Sequence, residues 1–105
     1  MIYKVQTQIP ITQIKEELES KAKAFGFGLL HQYDFKKILR EKGYPIEKDI
    51  TVYELCNPSG AHHALTQFPE ISAYLPCRIS VYEMNGSTTL ATIGLDNIVQ
   101  AIDVD

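Results

Sequence analysis

Apolar and polar positions alternate from Ile2 to Gln8, with Tyr3, Val5 and Thr7 on one side and Lys4 and Gln6 on the other. That period of two predicts a half-buried strand, which Pro10 stops. Ile14, Leu18, Ala22 and Phe25 then recur at helical spacing as one apolar stripe. Thr12 is the expected N-cap of this helix, Glu16 and Glu17 suit its positive end, and Gly26 ends it. Phe27, Leu29, His31 and Tyr33 alternate with Gly28, Leu30 and Gln32, which predicts a second strand with His31 on its apolar face. Asp34 caps a short helix that buries Phe35, Ile38 and Leu39, and Gly43 and Pro45 close it.

A third strand is predicted from Asp49 to Cys56. Ile50, Val52, Glu54 and Cys56 share one face, and Thr51, Tyr53 and Leu55 share the other. Both faces are largely apolar, which places this strand inside the sheet. Asn57-Pro58 is a strong helix start, because Asn is a favoured N-cap and Pro is favoured at the first helical position. The helix Pro58 to Gln67 is expected to bury Ala61, Leu65 and Phe68, with Pro69 as its stop. Ile71 to Leu75 is a short apolar connection. Asn85-Gly86 is the preferred pair for a type I′ turn. It sets a hairpin in which Met84 faces Ser87, Val81 faces Leu90, Ile79 faces Thr92 and Cys77 faces Gly94. Asp96 is placed to cap a last helical turn or two carrying Ile98, Val99 and Ile102.

The order is strand, helix, strand, helix, strand, helix, hairpin, short helix. The closing hairpin excludes a purely parallel sheet. The pattern predicts an α+β fold, a mainly antiparallel sheet of about five strands with helices packed on one face. The 105 residues are expected to form a single domain, 1–105.

Composition narrows the partners. The net charge is −3, and phosphate binding needs a concentrated basic face, so no nucleic-acid partner is expected. Lys36, Lys37, Arg40 and Lys42 are read as a solvated helix face. No apolar run reaches the length of a signal peptide or a bilayer span, so no membrane partner is expected and the expected compartment is cytoplasmic. There the two cysteines would stay reduced.

Those cysteines carry the candidate chemistry. Cys56 directly precedes the helix start at Asn57, and Ser59 and Gly60 leave that first turn uncrowded. Helix N-termini favour anions and lower a nearby thiol pKa. The competing reading of Cys56 is a small hydrophobe closing a strand. Cys77 opens the hairpin, and antiparallel pairing of the third strand with it would bring the two cysteines close. Together they could form a redox pair or half of a metal site. No cofactor is evident. A metal ion is possible, with Cys56, His62 and Cys77 as candidate ligands. His62 and His63 point about 100° apart on a helix and cannot easily serve one site. Glu54 lies on an apolar strand face and needs a partner, for which Arg78 is available. Such a pair would be structural, or would hold an anion near the cysteines. No phosphate-cradling glycine loop, nucleophile elbow or Ser-His-Asp arrangement is present.

Four segments carry a resemblance. They are Gly26-Phe27-Gly28 after a helix, Cys56-Asn57-Pro58 with Ala61, Ala64 and Leu65 on its helix, Leu75-Pro76-Cys77, and Ile79-Ser80-Val81-Tyr82-Glu83. In these the chain resembles the domain-of-unknown-function 302 family. After the last strand the sequence reads Asp96-Asn97 where the family pattern has an Asp-Pro step. The resemblance implies a compact α+β fold and self-association, and it implies no activity. The combined expectation is a non-enzymatic, dimeric module binding a small-molecule ligand or partner. Its site candidates are Cys56, Asn57, Ser59, Gly60, Cys77 and Arg78. The alternative is a thiol-dependent redox or metal-handling protein using Cys56 and Cys77.

Overall fold

The computed structural model describes residues 2–93. The helical turns expected around Asp96 and the Cys77–Gly94 pairing lie outside the described residues. The elements are β1 (Ile2–Thr7), α1 (Ile11–Ala24), β2 (Gly28–Asp34), α2 (Phe35–Glu41), β3 (Ile50–Cys56), α3 (Pro58–Gln67), a 3₁₀ helix (Pro69–Tyr74), β4 (Cys77–Met84) and β5 (Ser87–Ile93). The strands form one five-stranded sheet in the order β1-β5-β4-β3-β2, every neighbour antiparallel. The α+β class and the five-stranded antiparallel sheet follow the pattern read from sequence.

Successive strand residues point to opposite faces. On the first face, Tyr53, Leu55 and Val81 pack against Ile11 and Leu18 of α1, with Ile14, Ala22, Phe27, Leu29, Ile79 and Leu90 around them. This is the core. The second face carries Val52, Glu54, Arg78, Ser80 and Ala91, by the pairing of Glu54 with Arg78, Val52 with Ser80, and Ser80 with Ala91.

Local chemistry explains most element ends. Gly26 takes φ +86°. There the Phe27 N–H donates to the Ala22 carbonyl at 2.9 Å and the Gly26 N–H to Lys23 at 3.0 Å. That is a Schellman closure, which folds the chain back over the helix end. The same closure ends α2, where Gly43 (φ +86°) is followed by a 2.8 Å bond from the Tyr44 N–H to the Leu39 carbonyl. Asp34 caps α2 by accepting from the Lys37 N–H at 3.3 Å. At the hairpin, Asn85 and Gly86 have φ of 53° and 81°, as a type I′ turn requires. The pairs Met84–Ser87, Val81–Leu90 and Ile79–Thr92 form as the turn dictates.

Several expectations are corrected. Helix α1 begins at Ile11 with Pro10 as its N-cap, and Thr12 is exposed inside the first turn. Burial of Ile11 pulls the start forward, and the Pro10 carbonyl accepts the first helical bonds. Glu16 and Glu17 therefore lie beyond the first turn, and Glu17 pairs with Lys21 at 3.2 Å. Phe25 is 81% exposed. The Schellman fold-back sends Phe27 to the core in its place. Strand β1 is exposed rather than half-buried, because it is an edge strand to one side of α1. Helix α3 has no buried residue. Ala61 and Leu65 are half-covered and Phe68 is exposed, and the connection after it is the 3₁₀ helix anchored by buried Ile71.

Candidate functional site

The second face of the sheet gathers polar groups that the chain spacing does not predict. Strand β2 carries a bulge between Leu29 and His31: Leu29 pairs with Leu55, and His31 pairs with Glu54. Leu30 is the extra residue, 60% exposed. A bulge sets two residues against one and reverses the alternation beyond it. His31 and Tyr33 therefore leave the apolar face shared by Phe27 and Leu29, where a regular strand would put them. They join Glu54 instead.

Glu54 is 8% exposed. Both carboxylate oxygens are engaged. The Tyr33 hydroxyl donates to Oε1 at 2.8 Å, and the Arg78 guanidinium pairs with Oε2 at 3.1 Å. A buried carboxylate needs such partners, since removing an unpaired charge from water is costly. The ring of His31 lies against Tyr33 with centroids 4.4 Å apart, and Phe35 stacks with Tyr33 at 6.1 Å. The hydrogen bond to Glu54 raises the Tyr33 pKa above the ordinary tyrosine value, burial and the Glu54 charge add to the rise, and the Arg78 charge opposes it.

Arg78 lines a groove of about 370 Å³ on this face. Val52, Ser80 and Ala91 form its floor. Tyr74 and Pro76 stand on the side of the 3₁₀ helix, and Ile93 stands toward the sheet edge. Among the described residues the lining is mainly apolar, and Arg78 is its one charged residue. A smaller hollow of about 210 Å³ lies beside α1, lined by Ile14, Leu18, Phe25, Ile79 and Leu90. The Glu17–Lys21 ion pair sits at its rim.

The sequence candidates divide into two groups. Cys77 and Arg78 line the groove, whereas Cys56, Asn57, Ser59 and Gly60 sit at the start of α3 and do not. Asn57 is the cap of that helix, and its Oδ1 accepts the Gly60 N–H at 2.9 Å. That donor is thus taken by the cap and is not offered to the Cys56 sulfur. The Asn57 side chain also abuts Gly26, where an added Cβ would stand 3.4 Å from Nδ2.

Both cysteines are thiols rather than a disulfide. Cys77 pairs with Leu55, so by the pleat its side chain belongs to the first face, although as the first residue of β4 it also borders the end of the groove; Cys56, the next residue of β3, belongs to the second face. Burial pushes the Cys77 thiol up, and the charge on a nearby ionised Cys56 adds to the rise. Among the described residues no three His, Cys, Asp or Glu side chains gather as a metal centre requires. His62 and His63 are exposed on α3. Among the same residues, no helix is long and apolar enough to cross a membrane.

Sequence reasoning paired Glu54 with Arg78 and missed Tyr33, Val52, Ser80 and Ala91. Val52 could have been found, because it shares its strand face with Glu54. Tyr33 carried no such signal, since nothing in Leu29-Leu30-His31 marks a bulge.

Over residues 3–105 the chain matches the family described as domain of unknown function DUF302, and it belongs to that family. It is similar to an uncharacterized protein of Aquifex aeolicus (strain VF5), with 29% identity over 102 residues. That match covers 95% of this chain and 65% of the relative, so the chain spans just under two thirds of the relative's length. Among solved structures it resembles an uncharacterized conserved DUF302 protein from Bacillus stearothermophilus. The TM-score is 0.90 at 29% identity, covering 97% of this chain and 80% of that one.

Proposed function

We propose that this chain is a non-enzymatic binding module that holds a small organic ligand in the groove on the second face of its sheet. One observation carries the reading. A buried carboxylate, Glu54, holds a half-exposed guanidinium, Arg78, at the side of a mainly apolar hollow of about 370 Å³. Small-molecule sites are typically apolar clefts of roughly 300–1,000 Å³ with a few fixed polar groups. The redox alternative, which places the reactive thiol at Cys56 and Cys77 as its partner, gains no support: the Gly60 N–H at the helix start is taken by Asn57, and burial pushes the partner thiol Cys77 up.

The test is a fragment screen followed by amide chemical shifts of the folded protein. Binders are expected to move Val52, Ser80 and Ala91 together, and Ala91→Phe is expected to fill the floor and abolish the response. Binders that move only residues outside the groove, or none that bind at all, would refute the site.

Self-association is part of the same proposal. Ile2, Tyr3 and Val5 are exposed on β1, and among the described residues β1 has no strand on its outer side. An open apolar edge is a template for a second chain. Sedimentation is expected to show a dimer that Val5→Lys converts to monomer. A monomeric unaltered protein would overturn the assembly and leave the groove reading standing.

A further inference from the structure

We propose that the ligand of this groove is an amphipathic monocarboxylate, its carboxylate bound by Arg78 and its apolar body lying over Val52, Ala91 and Tyr74. The inference rests on the reading of the groove as a binding site and names the chemistry that the site selects.

Glu54 is the fixed point of the site. Its two oxygens are already engaged, one by the Tyr33 hydroxyl and one by Arg78. Glu54 therefore positions the guanidinium and has little left to offer a ligand. A guanidinium has five N–H donors in a planar fork. Among the described residues, Arg78 pairs with one carboxylate oxygen, at 3.1 Å, and its side chain remains 55% exposed. Donors are thus left for a second acceptor on the groove side. Arg is the residue whose fork matches a carboxylate in two parallel hydrogen bonds.

Charge decides between a carboxylate and a more highly charged group. Glu54 and Arg78 together are neutral, and among the described residues Arg78 is the one charged residue of the lining. A ligand with a single negative charge shares that cation with Glu54. A dianion such as a phosphate monoester would set two negative charges beside the Glu54 carboxylate with one cation between them. Repulsion between like charges grows as water is excluded. Val52 and Ala91 of the floor, with the Tyr74 and Ile93 walls, outweigh the single Ser80 hydroxyl of the floor and select a hydrocarbon or aromatic body over a sugar or a short polar acid. Burial of each methylene contributes about 0.8 kcal/mol, which gives the body its share of the affinity.

The probes are octanoate, octanamide and octyl phosphate, titrated into the folded full chain and followed by amide shifts. The expected order is octanoate at least about tenfold tighter than octanamide, the worth of a charge-assisted hydrogen bond, with octyl phosphate weaker than octanoate. Arg78→Gln is expected to weaken octanoate by about tenfold while leaving octanamide within about twofold. Equal affinities for octanoate and octanamide would overturn the carboxylate assignment and leave the groove reading intact. Tighter binding of octyl phosphate would overturn the monoanion argument in the same way. If none of the three probes moves Val52, Ser80 or Ala91, the groove reading fails and this inference fails with it. The comparison of probes on the unaltered protein decides the assignment even where Arg78→Gln does not fold.

Discussion

Tyr33 and Tyr53 show how one side-chain type is tuned by two different surroundings. Tyr53 is 2% exposed on the core face, and burial raises its pKa, with the charges of Asp49 and Asp34 adding to the rise. Tyr33 is raised first by its hydrogen bond to Glu54. Both pKa values are higher in the folded chain than in the unfolded one. The stability they contribute is therefore complete below the ordinary value of 10.0 and is lost as pH rises through the folded values. Absorbance titration at alkaline pH is expected to show the Tyr33 and Tyr53 phenols ionising above that value. Tyr33→Phe should remove one of them and keep the other. Cys77 obeys the same logic. Its alkylation half-point, read by mass spectrometry on the folded protein, is expected above the ordinary thiol value. A half-point below it would revive the thiol chemistry set aside above.

At the scale of elements, glycines separate what is local from what is not. Gly26 holds φ +86° at the end of α1, and an added Cβ would stand in ordinary contact with Asn57, the cap of α3, so the cost there is that of the backbone conformation. Gly28, two residues on, has nothing within 4 Å of such a Cβ. Left-handed backbone costs a non-glycine residue about 1–2 kcal/mol. Gly26→Ala is therefore expected to lower the unfolding free energy by about that amount, and Gly28→Ala to change it by less than about 0.5 kcal/mol. Urea melts of both variants check the contrast. The end of α1, the cap of α2 at Asp34, the start of α3 at Asn57-Pro58 and the Asn85-Gly86 hairpin could all be read in advance, because each depends on residues within a few positions of one another. The start of α1 could not. Thr12 is the better capping residue, but burial of Ile11 outweighed it.

For the whole molecule, the core is small. Among the described residues, Ile11, Leu18, Tyr53, Leu55 and Val81 are the buried members of the cluster between α1 and the sheet. Leu55 is 3% exposed within it. Leu55→Ala is expected to cost about 2–5 kcal/mol, a large part of a stability of roughly 5–15 kcal/mol. Chemical denaturation measures it, and a loss under about 1 kcal/mol would mean that the site collapses around the deletion.

The chain's own pattern determined the α+β class, the interior place of β3 and the hairpin register, and it offered Arg78 as an available partner for Glu54. Each follows from a period of two, a turn pair or a charge on an apolar face, and these are visible along a single stretch of sequence. Tertiary structure alone decided the rest. The bulge at Leu30 turned His31 and Tyr33 to the second face, the pairing of Leu55 with Cys77 put the two cysteines on opposite faces, and the 3₁₀ helix brought Tyr74 beside Val52 and Ala91. Face and register are relations between strands. One unpaired residue reverses them for every side chain beyond it, and a sequence carries no local mark of which residue will be left unpaired.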